Sequence, residues 1–93
     1  MSDAINSVRV VAFREDDAWV AQCVEFDICT QGRDLAQAHR RMNVALRQEA
    51  RITREKHGKE FVGIDAAPDY FAAMYEAAEG AQLQGDMGFR IAA

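Results

Sequence analysis

The chain has 93 residues, of which 49% are apolar and 28% are charged, and its formal net charge is −4. One small domain with a hydrophobic core is therefore expected, and a disordered chain is not. No apolar stretch approaches the ~20 residues that span a bilayer, and the opening MSDAINS lacks the basic start and apolar segment of a secretory signal, so we expect a cytoplasmic protein without membrane contact.

Two apolar runs near the start of the chain predict a β-hairpin. Residues 7–14 (SVRVVAFR) and 19–24 (WVAQCV) are rich in β-branched and apolar side chains, and the acidic residues 15–17 separate them. Residues 28–31 predict a short third strand, which ends at Gly32. Because both faces of these strands carry apolar side chains, the second face of the sheet needs a cover: another helix, a second subunit or a partner.

The third strand leads into a helix with clear signals at both ends. Asp34 is a typical N-cap, and Gln37 completes a capping-box pattern three residues later. Gly58 is a typical stop, so the helix is predicted over residues 35–57 with an apolar stripe against the sheet. Since Glu49 interrupts that stripe, we expect the last turns to project beyond the core.

The remaining residues predict a C-terminal extension of the same domain. Residues 61–64 (FVGI) fit either a short strand or a packed connector, a proline opens a second helix over about residues 68–79, and residues 89–92 (FRIA) fit a final strand. The expected fold class is α+β: a small antiparallel sheet of three to four strands packed on one long helix, with a second C-terminal helix. All 93 residues form one domain, whose core covers about residues 5–64.

The sequence predicts no catalytic group, metal site or cofactor. His39 and His57 lie on the same predicted helix at roughly 27 Å from each other, which is too far to share a metal ion. Cys23 and Cys29 match neither a disulfide framework nor a CxxC site, and two free thiols are expected. We therefore expect a binding protein rather than an enzyme.

Acidic residues cluster around the predicted hairpin. Residues 1–32 carry six acids against two arginines, and Glu25 and Asp27, two apart, would lie about 6–7 Å from each other on a strand. Such a surface would steer association with a basic partner, whereas the alternative is a solvated turn that prevents edge-to-edge pairing. The candidate partner-binding residues are Asp16, Asp17, Trp19, Glu25 and Asp27.

Basic residues concentrate on the long helix. Residues 33–59 carry eight bases against three acids, while residues 60–93 carry one arginine against six acids. Four arginines project within a narrow arc opposite the apolar stripe and could follow the phosphates of a nucleic acid. The alternative is an ordinary solvated face made of strong helix formers. The candidate nucleic-acid-binding residues are Arg40, Arg47, Arg51 and Arg54.

Residues 19–32 (WVAQCVEFDICTQG), followed by Asp34, Leu35 and Ala38, resemble the HicB family of type II antitoxins. The similar features are an aromatic-x-Ala-x-Cys strand, an acidic and apolar pair, a Thr-Gln-Gly turn, and a helix with Leu and Ala at these spacings. The resemblance covers about residues 7–55. It implies three antiparallel strands, a helix and a further strand, in a layout likened to a partial ribonuclease H fold or a double-stranded-RNA-binding domain.

The resemblance also implies a function. HicB-like antitoxins bind and silence HicA, a small basic ribonuclease with a catalytic histidine, they commonly oligomerise, and many repress their own operon through a separate C-terminal DNA-binding domain. The chain departs from the family in that Val24 and Glu25 stand where a proline is often found, and in that residues 58–93 contain no recognisable DNA-binding motif. The expected function is sequestration of a HicA-type toxin. The alternatives are nucleic-acid binding through the four arginines and a self-associating HicB-like domain without a toxin.

Overall fold

The computed structural model describes residues 8–80 and 87–92, with residues 79 and 80 described by their backbone alone. The predicted strands at 7–14, 19–24 and 28–31 are present with small shifts, and the final strand at 89–92 is present one residue earlier. In chain order the elements are β1 (Arg9–Glu15), β2 (Ala18–Cys23), β3 (Cys29–Gly32), α1 (Leu35–His57), α2 (Asp69–Ala77), β4 (Glu79–Gly80) and β5 (Gly88–Ile91). No helix of the described part is long and apolar enough to cross a membrane.

The strands form one mixed sheet in the order β3-β2-β1-β5-β4. β1 and β2 make the predicted antiparallel hairpin, whose two-residue turn contains Asp16 at a φ of 56°. β3 pairs antiparallel with β2, but β5 runs parallel to β1, with Val10 opposite Phe89. The α+β class is confirmed, while the added strand differs from the expected antiparallel arrangement. The physical reason is its connection: two helices separate β5 from β3, and such a long crossover allows a parallel pairing.

The ends of α1 agree with the predicted helix because its caps form locally. The Asp34 side chain accepts a hydrogen bond from the Gln37 backbone N–H at 2.7 Å, and the Gln37 side chain accepts one from the Arg33 N–H at 2.9 Å. Gly58 ends the helix at a φ of 76°. Glycine is required at position 32 for a steric reason. A Cβ there would lie 2.6 Å from the Ala38 backbone nitrogen, so only glycine lets β3 approach the helix this closely.

The second half of α1 is covered by the chain that follows it. The Thr53 hydroxyl accepts a hydrogen bond from the Phe61 N–H at 2.6 Å and donates one to the Glu49 carbonyl at 2.7 Å. The Phe61 ring stacks on Phe26 with centroids 4.2 Å apart. Residues 61–64 are therefore a packed connector, and the expectation that the last turns project beyond the core is wrong for Thr53, which is buried.

A helix of the same chain covers the second face of the sheet. Phe71 of α2 stacks on Phe13 of β1 with ring centroids 6.2 Å apart, and Tyr75 lies between two arginines, with Arg9 at 5.7 Å and Arg90 at 4.4 Å from its ring centroid. The helix is shorter than the predicted 68–79. The sequence left three possible covers for this face: another helix, a second subunit or a partner. In the structure the cover is a helix of the same chain.

The core extends past the predicted limit at residue 64. Met87 and Phe89 are buried with the residues that α1 and the hairpin contribute to the first face. The C-terminal segment is thus packed into the same core because β5 lies beside β1, the central strand.

Candidate interaction surfaces

The hairpin tip (residues 15–17) exposes three consecutive carboxylates. Within residues 8–80 and 87–92, neither Asp16 nor Asp17 has an ion-pair partner. The tip borders an open cleft of about 560 Å³, whose other side includes Arg33, which precedes α1, and Arg41 in the second turn of α1. The Arg41 guanidinium donates a hydrogen bond to the Gln31 carbonyl at 2.8 Å, so this arginine is committed to the edge of the sheet.

Trp19 is packed against the core of the first sheet face and is half-buried. The guanidinium carbon of Arg14 lies 5.6 Å from its ring centroid, in a cation–π arrangement across the hairpin. Trp19 therefore stiffens the base of the tip, and only part of its ring is available to a partner.

Glu25 braces the start of β1. Its carboxylate accepts hydrogen bonds from the Arg9 N–H at 2.7 Å and from the Arg9 Nε at 2.6 Å. This hydrogen bond to the carboxylate raises the pKa of the Arg9 guanidinium. Because both carboxylate oxygens are used, Glu25 serves the fold.

Asp27 is also engaged within the molecule. Its carboxylate accepts a hydrogen bond from the buried Gln22 side chain at 3.1 Å, and its N–H donates one to the Asp65 carbonyl at 2.7 Å. Glu25 and Asp27 lie in a bend rather than on a strand, and they bind different groups. Glu25 and Asp27, which were expected to point the same way, therefore make two separate structural contacts. The hairpin tip is the acidic surface that stays exposed.

The four candidate arginines are all exposed on α1. The Arg47 guanidinium donates a hydrogen bond to the Asn43 side chain at 2.9 Å. Arg51 lies 3.8 Å from a Glu55 oxygen, and Arg54 lies 3.6 Å from a Glu60 oxygen. The contact between Arg51 and Glu55 is exposed and contributes little to stability, so this guanidinium group can exchange it for a partner, whereas the Glu60 side chain is only 20% exposed.

Sequence reasoning missed one residue of this arc. Val44 is 64% exposed, the largest exposure among the large apolar side chains of the described residues. It lies four residues after Arg40 and three before Arg47, which places it in the same row of the helix. The helical spacing was the signal that could have found it, because a valine at that position cannot face the sheet.

Cys23 on β2 and Cys29 on β3 carry the nucleophilic groups of the hairpin region. Cys23 and Cys29 are free thiols, as expected, and desolvation raises the pKa of each, with Asp27 and Glu15 adding to the rise at Cys29. A raised pKa disfavours the thiolate, so neither is an activated nucleophile. The described residues contain no group of three metal-ligating side chains.

His39 is buried at 7% exposure, edge-on to Phe89 with ring centroids 4.8 Å apart. Its Nε2 has no hydrogen-bond partner among the described residues, and burial lowers its pKa. His57, the other histidine of the helix, is exposed in its last turn. Their separation of five turns puts both histidines on one face of the helix, but that face is covered at His39 and exposed at His57.

Comparison of the chain with protein-family models, with curated proteins and with solved structures finds no match.

Proposed function

We propose that this chain is a HicB-like antitoxin-type binding module, which sequesters a small basic ribonuclease of the HicA type through its hairpin tip. The observation that carries the proposal is the tip itself. Three adjacent carboxylates are exposed at residues 15–17, and Asp16 and Asp17 have no ion-pair partner within residues 8–80 and 87–92. A basic surface is the natural complement of such a tip.

The layout of the chain supports the proposal. Residues 19–32, which carry the resemblance to HicB antitoxins, form β2, the following bend and β3, and they lead directly into α1. Three antiparallel strands, a helix and a further strand are the layout that the resemblance implies. The inserted α2 packs on the opposite sheet face from α1, so it leaves the hairpin tip open.

The mechanism follows from how the tip is held. β1 and β2 pair up to Glu15 and Ala18, so the backbone that carries the carboxylates is held in place before a partner arrives. A fixed cluster of charge raises the rate of encounter with an oppositely charged protein and aligns it, while the contact area determines how long it stays. Inhibition of the ribonuclease is steric, because the bound domain covers the basic surface that RNA would use.

The structure changes the part that the other candidates have in this mechanism. Trp19, Glu25 and Asp27 hold the hairpin and the bend in shape through Arg14, Arg9 and Gln22. We assign them a positioning role and leave direct contact to the tip.

The proposal is tested by co-expressing the tagged chain with each short neighbouring open reading frame that encodes a basic protein. We expect one such product to co-purify and to lose its ribonuclease activity in the complex. If no basic neighbour co-purifies, or if the one that does has no ribonuclease activity when freed, the antitoxin function is wrong.

A matched pair of variants locates the contact. Asp16→Asn with Asp17→Asn neutralises the tip and keeps the turn, because asparagine tolerates a positive φ. Asp65→Asn with Asp69→Asn removes the same charge from exposed sites elsewhere. We expect the first pair to weaken the complex about fivefold and the second to leave it unchanged, since exposed charge pairs contribute up to about 1 kcal/mol. Equal effects of the two pairs would remove the tip as the contact.

A further inference from the structure

An apolar side chain framed by cations lies on the outer face of α1. Arg40, Val44, Arg47 and Arg51 follow one another at spacings of four, three and four residues, so they form a single row along the helix. We call this row the arginine–valine ridge. It is on the side of α1 that does not face the sheet, because the buried residues of the helix lie on the other side.

The surface around Val44 is shaped for contact. Val44 lines two shallow depressions, one of about 420 Å³ with Arg40, Arg41, Ala45 and Gln48, and one of about 340 Å³ with Arg47, Gln48 and Arg51. An exposed apolar residue between arginines is typical of an interface centre surrounded by a polar rim. The exposed fraction of 64% means that covering Val44 would remove most of its side chain from water.

The ridge fits an acidic protein surface better than a phosphate backbone. A surface that binds the phosphates of a nucleic acid would present cations along its whole length, whereas here Val44 occupies the middle of the row. Arg51 already lies within 3.8 Å of a carboxylate, that of Glu55, and Arg47 is oriented by Asn43. Guanidinium groups arranged in this way are ready for the carboxylates of a partner.

The molecule itself carries an acidic surface of the right size. The hairpin tip is a tight turn, and the Cα atoms at the two ends of a β-turn lie less than about 7 Å apart. Arg47 and Arg51 are about 6 Å apart along the helix axis. The tip of the same molecule cannot reach them: it borders Arg41, and Arg51 lies about 15 Å farther along α1. The complement must therefore come from a second molecule.

We infer that the hairpin tip of one molecule docks on the arginine–valine ridge of a second copy of the same chain. The two surfaces are different, so the contact is head-to-tail and leaves a free tip at one end and a free ridge at the other. Further copies add at both ends. The contact is small and charged, so the association is weak and falls with ionic strength.

This contact also connects to the proposed function, on which the following expectation rests. A basic partner that binds the tip occupies the surface that the ridge would use. Partner binding and self-association therefore exclude each other at a given tip. A tip that holds a basic partner does not bind the ridge of a second copy.

The test uses the purified chain alone and measures its mass in solution by sedimentation or light scattering. In about 0.01 M salt, where charges act over about 30 Å, we expect the average mass to rise with protein concentration. In about 1 M salt it returns to that of a monomer. A chain that is monomeric at low salt over the whole concentration range overturns the inference.

Two charge-reversed variants test the pairing. One carries Glu15→Lys and Asp17→Lys, which leaves Asp16 at its positive φ. The other carries Arg47→Glu and Arg51→Glu. Each alone is expected to be monomeric at low salt. Their mixture is expected to associate again, because the native tip of the second variant complements the native ridge of the first, and the lysine tip of the first complements the glutamate ridge of the second.

Controls keep the outcome interpretable. Far-ultraviolet circular dichroism verifies that both variants fold, and Asp65→Lys with Asp69→Lys is a matched reversal outside the two surfaces, which should still associate. Persistent association of either variant alone, or a mixture that stays monomeric while the unmodified chain associates, contradicts the head-to-tail contact. So does a labelled RNA or DNA oligonucleotide that binds through Arg47 and Arg51 while the chain stays monomeric, since the ridge would then be a nucleic-acid surface.

The result is independent of the antitoxin proposal. Self-association is measured without any partner, so it can be found when no toxin exists. Conversely, a toxin can bind the tip of a chain that never self-associates.

Discussion

At the scale of single residues, His39 is the titratable group most affected by the fold. Burial against Phe89 lowers its pKa from the ordinary value of 6.5, so the folded protein keeps it neutral where the unfolded chain would take up a proton. The stability it contributes is complete above about pH 6.5 and is lost as the pH falls through the folded-state pKa.

We therefore expect the unfolding free energy to decrease as the pH falls below about 6.5, and to decrease less in His39→Leu, which cannot take up the proton. Denaturant unfolding at a series of pH values measures this. His57→Gln is the control for the loss of a histidine at an exposed site of the same helix. Identical slopes for His39→Leu and the unmodified chain would show that His39 does not titrate in this way.

Glu25 is an acidic residue whose role we expect to be structural and not in partner binding. The sequence places it with the hairpin acids, but the carboxylate is used by the Arg9 backbone and side chain. Glu25→Gln is expected to lower the unfolding free energy by about 1 kcal/mol, because a charged hydrogen-bonded pair at the base of β1 becomes a neutral one. Binding of a basic partner should be unchanged. A variant of full stability with weakened binding would instead make Glu25 part of the contact surface.

At the scale of elements, the sequence predicts well what local chemistry determines. The ends of α1 follow from Asp34 and Gly58, whose capping contacts involve residues within four positions of each. The hairpin follows from three acids between apolar runs. The parallel pairing of β5 with β1 could not be predicted, because it depends on where the chain goes after two helices. The position of Tyr75 on α2 between Arg9 and Arg90 could not be predicted either, because the two arginines lie 81 positions apart in the sequence.

The connector after α1 shows why Thr53 is buried although residues 54–57, the last turn of the helix, are exposed. Glu49 looks like an interruption of the apolar stripe, but its backbone carbonyl accepts the Thr53 hydroxyl, and Thr53 in turn receives the Phe61 N–H. A threonine in a helix gives no sequence signal for such a contact, since its partner lies eight residues away in an irregular segment.

Removal of this contact is expected to loosen the connector. Thr53→Val keeps the shape of the side chain but leaves the buried Phe61 N–H without an acceptor, so the unfolding free energy should fall by about 1–3 kcal/mol. Thr53→Ser retains the hydroxyl and should lose less. Chemical denaturation of the three proteins measures the order. A valine variant as stable as the serine variant would mean that the hydrogen bond contributes nothing.

At the scale of the whole molecule, charge is separated between two surfaces of one small fold. The open acids lie at the end of the hairpin, and the bases lie along the outer face of α1. The acidic candidate site could be predicted from the charge pattern of the sequence. The sequence cannot show that Glu25 and Asp27 bind Arg9 and Gln22 while the carboxylates of the tip stay exposed. Side-chain partners from distant residues decide which acids stay available.

The measurement that tests the central claim most directly is the rate at which the chain associates with its basic partner, followed by stopped-flow fluorescence over a range of salt concentrations. We expect Asp16→Asn with Asp17→Asn to slow association several-fold at low salt and to flatten its salt dependence, because the tip supplies the steering charge. Asp65→Asn with Asp69→Asn should leave both unchanged. An association rate with the same value and the same salt dependence in the tip variant would contradict the account.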